Sequence, residues 1–214
     1  MDIAEKTLQL KQDFDDVYEA GKSQERDDFW GVFQNYGEML EGYDRLRYNF
    51  AFSYNKFDDN TYNPKYPIEV ITNGSTLTNA FAGNTLIKDT KVPIKISTNN
   101  PAVDVILNNT FVDCSNLETI RELHFGDRAY INETGFMNCK ALKNLTVTGI
   151  IFKSFNVQWC PLTDESIKSV VKALSDTTSG LTCTFKKTAK EAAFTTDEWN
   201  TLIATKPNWT FSLV

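Results

Sequence analysis

Four cysteines and one histidine are the side chains best suited to metal, redox or nucleophilic chemistry in this 214-residue chain. Successive cysteines are separated by 25, 21 and 23 residues, so none forms the C-x-x-C pair of a zinc ribbon or a thioredoxin motif. The single histidine, His124, excludes metal sites that need two or three imidazole ligands. We therefore expect no metal and no cofactor. The cysteines concerned are Cys114, Cys139, Cys160 and Cys183.

Carboxylate pairs offer a second kind of chemistry, because a glycoside hydrolase needs only two carboxylates about 5–10 Å apart. The neighbouring acids Asp164/Glu165 and Asp197/Glu198 stand where helices are predicted to begin, and acidic residues stabilise helix N-termini. The sequence contains no G-x-S-x-G elbow, H-E-x-x-H helix or glycine-rich phosphate loop. We predict that the chain is not an enzyme, and a carbohydrate-active enzyme is kept as a remote alternative.

The cysteine spacing coincides with an internal repeat. The segment FVDCSNLETI, which begins at Phe111, reappears 25 residues later as FMNCKALKNL, which begins at Phe136. A weaker copy begins at Phe81, and a degenerate copy contains Phe155 and Cys160. A period of about 20–29 residues with spaced Leu, Ile, Phe and Cys is typical of leucine-rich repeats, whose equivalent side chains stack into one core. The predicted core positions are Phe81, Ile87, Phe111, Cys114, Leu117, Ile120, Phe136, Cys139, Leu142 and Leu145.

At such positions the cysteines are expected to be reduced and buried, and buried thiols are inert. Stacked units would also bring neighbouring cysteines close together, so a disulfide between two of them stays open as an alternative. A nucleophilic pair of His124 with Cys114 or Cys139 is disfavoured for the same reason.

Two strands are predicted within the repeat units, over Thr119–Phe125 and Asn144–Ile151. Polar residues alternate there with apolar ones, so we expect the polar set to face outward and to form the binding surface of a stacked-strand protein. The candidate binding residues are Arg121, Glu122, His124, Thr146 and Thr148.

The last third of the chain predicts alternating helices and strands. Thr163 is a helix N-cap before residues 164–175, and two capping boxes follow, at Thr188/Glu191 and Thr195/Glu198. The strands predicted here are joined through helices, so we expect them to be parallel. They span Leu181–Phe185 and Trp209–Leu213.

Acidic charge is concentrated at the N-terminal end. Residues 1–60 carry 14 acidic and 7 basic residues, a balance of −7, whereas residues 61–214 have a balance of +1. Within residues 3–17, apolar or tolerant positions recur at spacings of four and three, which predicts a coiled-coil-like helix. This helix either folds onto its own domain or forms a homo-oligomer. Aromatic residues crowd between 28 and 66, where they predict a cap over the core or a carbohydrate-stacking platform.

These shifts in composition predict four parts. They are an amphipathic helix at residues 1–24, an aromatic-rich cap or linker at 25–66, the repeats at 67–162, and a helix-strand capping unit at 163–214.

Composition also bears on partners. A net charge of −6 without clustered Lys and Arg argues against nucleic-acid binding. No apolar run approaches the length of a membrane span, and the first residues are acidic, unlike a signal peptide. We therefore expect a protein or glycan partner, no membrane insertion, and a virion-associated or cytoplasmic location unless a secretion signal precedes these residues.

The two copies FVDCSNLETI and FMNCKALKNL resemble the BspA-like leucine-rich repeats of bacterial surface and secreted proteins. The tail KTAKEAAFTTDEWNTLIATKPNWTFSLV and the stretch RDDFWGVFQNYG are similar to leucine-rich repeat proteins of gut bacteria and their phages. The resemblance implies an α/β repeat fold, a leucine-rich-repeat-type β-solenoid with an N-terminal helix and a helix-containing C-terminal cap. It further implies recognition or adhesion without catalysis. A phage tail or baseplate protein, oligomerised by its N-terminal helix, is the alternative.

Overall fold

A computed structural model describes residues 68–72, 76–78, 81–98 and 102–214. The helix predicted within residues 3–17 and the aromatic segment at 25–66 lie outside the described residues. The strands are β1 Ile68–Thr72, β2 Thr76–Thr78, β3 Ile94–Thr98, β4 Val105–Asn108, β5 Thr119–Phe125, β6 Ala129–Ile131, β7 Asn144–Gly149, β8 Phe155–Val157, β9 Leu181–Phe185 and β10 Trp209–Leu213. The helices are α1 Asp164–Ala173, α2 Lys187–Ala193 and α3 Thr196–Ala204.

The described strands form three parallel sheets. Sheet A has four strands in the order β1-β3-β5-β7, and sheet B has three in the order β2-β4-β6. Sheet C also has three, in the order β10-β9-β8. The connections from β8 to β9 and from β9 to β10 run through helices, which is how parallel strands are usually joined.

The predicted leucine-rich-repeat-type β-solenoid is wrong. The described residues form a mixed α/β fold of short parallel sheets with three helices, and no single sheet runs through them. The series of repeat strands stops at β7, because α1 occupies the outer edge of that strand. The chain then builds sheet C from β-α units, and Trp199 of α3 packs against Phe185 of β9 and Phe211 of β10.

Local repetition is nonetheless visible in the packing. The ring of Phe111 stacks between those of Phe81 and Phe136, with centroid separations of 5.2 and 5.4 Å. Such aromatic contacts add to the free energy gained by removing the rings from water. The buried repeat positions are Phe81, Ile87, Phe111, Cys114, Leu117, Ile120, Phe136, Cys139, Leu142 and Leu145.

A tight turn follows each stacked phenylalanine, and it explains the residue found two places later. Gly83, Asp113 and Asn138 all have left-handed backbones, with φ of 72°, 60° and 62°. Glycine adopts this conformation freely, and Asp and Asn tolerate it better than other residues. The Asn138 side-chain amide also donates to the Asp113 carboxylate at 2.7 Å, which links two successive turns.

Two serine hydroxyls of helix α1 cover the outer edge of β7. The backbone N–H of Leu145 donates to Ser166 Oγ at 2.9 Å, and that of Val147 donates to Ser169 Oγ at 2.7 Å. The same hydroxyls donate to the Lys143 and Val147 carbonyls, at 2.9 and 3.1 Å. The helix therefore satisfies backbone groups that an adjacent strand would otherwise pair.

Local signals in the last third agree with most of the predicted elements. Thr163 caps α1, and Thr195 forms a full capping box with Glu198 at the start of α3. The box predicted at Thr188 is absent, because the N-cap of α2 is Lys186, two residues earlier, and it makes no side-chain cap. β9 and β10 have the predicted bounds and are parallel.

Strand β7 ends at Gly149, two residues earlier than predicted. Gly149 has a φ of 78°, and a Cβ there would lie 1.8 Å from the Phe125 carbonyl oxygen. Only glycine fits this close approach, which ends the regular strand.

Candidate functional site

The outward side of sheet A carries a polar surface, here called the outer face. One row of this surface crosses β3, β5 and β7 and consists of Lys95, His124 and Thr148. These residues lie side by side because they are paired in register. Their strand neighbours, such as Leu123 and Val147, are buried on the opposite side. Alternation along strands therefore places apolar groups in the core and polar groups on the outer face.

A β-bulge shapes the middle of this surface. Between the pairs Ile120–Leu145 and Leu123–Val147, β5 has the two residues Arg121 and Glu122 where β7 has only one, Thr146. A bulge of this kind redirects side chains and increases the local twist of the strand.

Glu122, Thr148 and His124 form a hydrogen-bonded chain. Thr148 Oγ1 donates to Glu122 Oε1 at 2.6 Å and lies 2.9 Å from His124 Nδ1. Because the threonine hydroxyl has one proton, which the carboxylate accepts, Nδ1 of His124 must be the donor to Thr148. Nε2 is then the ring nitrogen that takes no part in this hydrogen-bonded chain.

The order of these groups differs from a nucleophile–base–acid triad. In such a triad the histidine accepts the nucleophile's proton, whereas here His124 donates to the threonine oxygen and the carboxylate holds the threonine proton. The geometry is therefore suited to holding His124 in one orientation and one tautomer.

Arg121 is held away from this chain by Asp89. Its Nε and Nη2 donate to the two carboxylate oxygens at 3.0 and 2.6 Å. This hydrogen bonding and the charge of Asp89 raise the pKa of the Arg121 guanidinium. Since the Arg121 side chain is 57% exposed, the pair contributes little to stability but fixes the direction of an exposed guanidinium.

The structure thus places all five predicted binding residues on one surface but connects them differently. Glu122, His124 and Thr148 are half-buried and joined, whereas Arg121 and Thr146 are exposed. Sequence reasoning missed Asp89 and Lys95, which complete the outer face. The alternation of Lys95 between Ile94 and Ile96 was a usable signal for Lys95, whereas nothing local indicates that Asp89 pairs with a residue 32 positions away.

The four cysteines lie elsewhere, as free buried thiols. Cys114 and Cys139 donate to the carbonyls of Phe81 and Phe111 at 3.1 and 3.0 Å, and His124 is not among these contacts. Burial raises the pKa of Cys114 and Cys183, and a hydrogen bond with Cys160 together with burial raises that of Cys139. The inward thiols and the outward histidine therefore do not form a nucleophilic pair.

A second cluster, with two half-buried rings and the exposed Lys153, lies by sheet B. The ring of Tyr130 on β6 meets that of Phe152 edge to face at 5.9 Å, and Lys153 Nζ lies 5.6 Å from both centroids. Arg128 forms an ion pair with Asp104 at 2.5 Å beside it. The two rings and the Lys153 ammonium group therefore form a mixed aromatic and cationic cluster.

Within residues 68–72, 76–78, 81–98 and 102–214, no three His, Cys, Asp or Glu residues are grouped in a way that would hold a metal ion. No helix in the same ranges has the length and apolar content of a membrane span. Comparison of the chain with known proteins finds no matching family model, curated protein or solved structure.

Proposed function

We propose that this chain is a non-enzymatic recognition module that binds a protein or glycan partner through the outer face of sheet A. The observation that carries the proposal is the set of hydrogen bonds Glu122–Thr148–His124, which fixes the orientation of an imidazole on paired strands. Rigid polar groups lose little conformational entropy on binding, so they give specificity at low cost.

Two further features support this surface. The exposed guanidinium of Arg121 is oriented by Asp89, and arginine is enriched at interfaces because it binds carboxylates and other planar acceptors in a fixed geometry. Lys95 lies in register beside His124, so cationic side chains and an oriented imidazole occur together. Such a mixture is suited to sugar hydroxyls, sugar carboxylates or a polar peptide.

The experiment compares full-length variants on a glycan array and on an array of purified proteins. Arg121→Ala combined with His124→Ala removes the oriented guanidinium and the oriented imidazole. We expect binding to the best probe to weaken about tenfold or more, as for central interface residues. A control with Lys168→Ala and Lys187→Ala removes two exposed side chains that also form ion pairs, on helices α1 and α2, and should bind like wild type.

A third variant, Tyr130→Ala with Lys153→Ala, tests the cluster by sheet B. Binding lost in this variant but retained by the Arg121/His124 variant would contradict the outer face as the site. Absence of binding to any probe by the wild-type chain would contradict the proposal as a whole.

A further inference from the structure

Strand β10 is the outermost strand of sheet C, and its free edge has no cover among the described residues. The N–H of Val214 donates to the Phe185 carbonyl at 3.1 Å, and the Val214 carbonyl accepts from Lys187 N–H at 2.7 Å. Both backbone groups of Val214 therefore point toward β9. The direction of the backbone N–H and C=O groups alternates along a strand. Those of Ser212 therefore also point toward β9, and those of Phe211 point away from it.

By the same alternation the backbone groups of Leu213 point away from β9 as well. The backbone N–H and C=O groups of Phe211 and Leu213 are thus directed to the free edge, where no partner lies among the described residues. Trp209 also points outward, but its N–H already donates to the Lys206 carbonyl at 3.1 Å. The edge therefore offers four adjacent backbone groups to an incoming strand.

The side chains along this edge favour a second copy of the same strand. Residues 209–214 contain no charge, glycine or proline, so two copies meet without like-charge repulsion. Leu213 and Val214 are 37% and 65% exposed, whereas most large apolar residues in the described part of the chain are buried or half-buried. Apolar side chains left exposed at a strand edge gain free energy when a second apolar strand covers them.

We infer that two copies of this chain associate by antiparallel pairing of β10 with β10 of the second copy. A two-fold interface must be self-complementary, and antiparallel pairing of a strand with its own copy meets this condition. One register, with Ser212 opposite Ser212, pairs all the outward backbone groups of Phe211 and Leu213, because the N–H of Trp209 is already bonded to Lys206. With Ser212 opposite Ser212, Phe211 of each copy faces Leu213 of the other. The four outward backbone groups of each copy then form four hydrogen bonds, and the two three-stranded sheets become one six-stranded sheet.

The same register covers the exposed apolar groups. Phe211 and Leu213 lie on the core side of sheet C, in register with Cys183 and Phe185, so each half-buried Phe211 packs against the exposed Leu213 of the second copy. An interface of one strand pair is smaller than the roughly 1,200 Å² of stable complexes. We therefore expect a reversible dimer in the micromolar range, which would present two outer faces and strengthen binding to a multivalent partner. The dimer itself does not depend on the proposed function.

Cysteine cross-linking tests the register directly. Residues directly opposite in an antiparallel pair have Cα atoms about 4.5–5.5 Å apart, within disulfide range. Ser212→Cys in the full-length chain should therefore form a covalent dimer with oxidised glutathione, which takes up two electrons and becomes two glutathione thiols. The native cysteines are at most 1% exposed and do not compete.

Thr210→Cys is the matched control, because Thr210 is on the same strand and the same side but is more exposed. In the inferred register the two copies of residue 210 are about 14 Å apart, too far for a disulfide. We expect Ser212→Cys to cross-link at least tenfold faster than Thr210→Cys. Equal rates would overturn the inference, as they would indicate random collisions or a dimer formed elsewhere, such as through residues 3–17.

Sedimentation equilibrium supplies a second measurement. Leu213→Pro removes an outward N–H without disturbing the bonds to β9, and should shift the wild-type dimer to monomer, whereas Leu213→Ala keeps that N–H and should retain more of the dimer. A wild-type chain that stays monomeric up to about 100 μM, well above a micromolar Kd, would overturn the inference. So would a dimer that Leu213→Pro leaves unchanged.

Discussion

The outer edge of β7 and the outer edge of β10 both belong to parallel sheets, but they end in different ways. At β7, Ser166 and Ser169 of helix α1 occupy the edge and bond to its backbone groups. At β10, the outward groups of Phe211 and Leu213 have no cover among the described residues. Helix packing therefore ends the first series of strands within the molecule, whereas sheet C ends at an edge with outward backbone groups, as the inferred dimer requires.

The largest expected effect follows from uncovering β7. Ser166→Ala with Ser169→Ala leaves the N–H groups of Leu145 and Val147 without their acceptors. Each orphaned buried group costs about 1–3 kcal/mol, so we expect a loss of about 2–5 kcal/mol in the free energy of unfolding. Urea denaturation measures it. Thr201→Ala, which removes a hydroxyl bonded to a carbonyl on exposed α3, is the control and should change stability by less than about 0.5 kcal/mol.

A loss below about 0.5 kcal/mol in the double serine variant would show that water replaces the hydroxyls, and that the two edges differ less than the contacts indicate.

The free energy of unfolding at alkaline pH compares the repeat core, next to β7, with the interior of sheet C, next to β10. Cys139 is buried in the repeat core and Cys183 in sheet C, and the pKa of both thiols is raised. Above about pH 8.5 the unfolded chain ionises these thiols while the folded chain keeps them protonated, so stability falls with rising pH. The fall is about 1.4 kcal/mol per pH unit for each such thiol.

Cys139→Ala and Cys183→Ala should each reduce this slope by about 1.4 kcal/mol per pH unit, as measured by urea denaturation between pH 8 and 10. Equal reductions are expected if both regions unfold together. A variant with the wild-type slope would show that its thiol already ionises in the folded chain.

A charged residue at the free edge of β10 should abolish the dimer and leave the free energy of unfolding nearly unchanged. Leu213→Lys places like charges close together in the inferred dimer, and edge lysines are a common protection against strand pairing. We expect the dimer to be lost in sedimentation velocity, with stability changed by less than about 0.5 kcal/mol because Leu213 is 37% exposed. Asn200→Lys adds the same charge on exposed α3 and should leave the dimer intact. Equal association of both variants would contradict the edge as the interface.

The smallest effect is expected at the helix that packs against sheet C. Hydrogen bonds from the Thr195 backbone and hydroxyl lower the pKa of Glu198 in the α3 capping box. A carboxylate with a lowered pKa contributes stability above about pH 4.3, and this is lost as the pH falls through the folded value. Glu198→Gln should lack this acid-dependent component in thermal melts between pH 5 and 2. A pH profile identical to wild type would contradict the role of the capping box.

Much of the local structure was predictable from the sequence. The cap at Thr163, the capping box at Thr195, and the bounds of β5, β9 and β10 agree with signals that act within a few residues. The burial of the repeat positions also follows the sequence pattern. The overall architecture was not predictable in this way, because the repeat signal covers only part of the chain and does not indicate where the series of strands must end.

The candidate site was predictable only in part. Alternation along β5 and β7 placed Arg121, His124 and Thr148 on one surface, because side chains on a strand point to opposite sides in turn. Their partners depend on register: a bulge at Arg121 and Glu122 decides that Glu122 meets Thr148, a residue 26 positions away.

The short-range features of the chain follow from local sequence: the helix caps, the turns at Gly83 and Asn138, and the inward or outward side of each strand residue. These depend on backbone conformation and side-chain alternation over a few residues. Only the tertiary structure decided which edges are covered and which polar groups meet. A hydrogen bond forms only when donor and acceptor approach within about 3 Å. For residues more than 20 positions apart, that distance is set by strand register and helix packing.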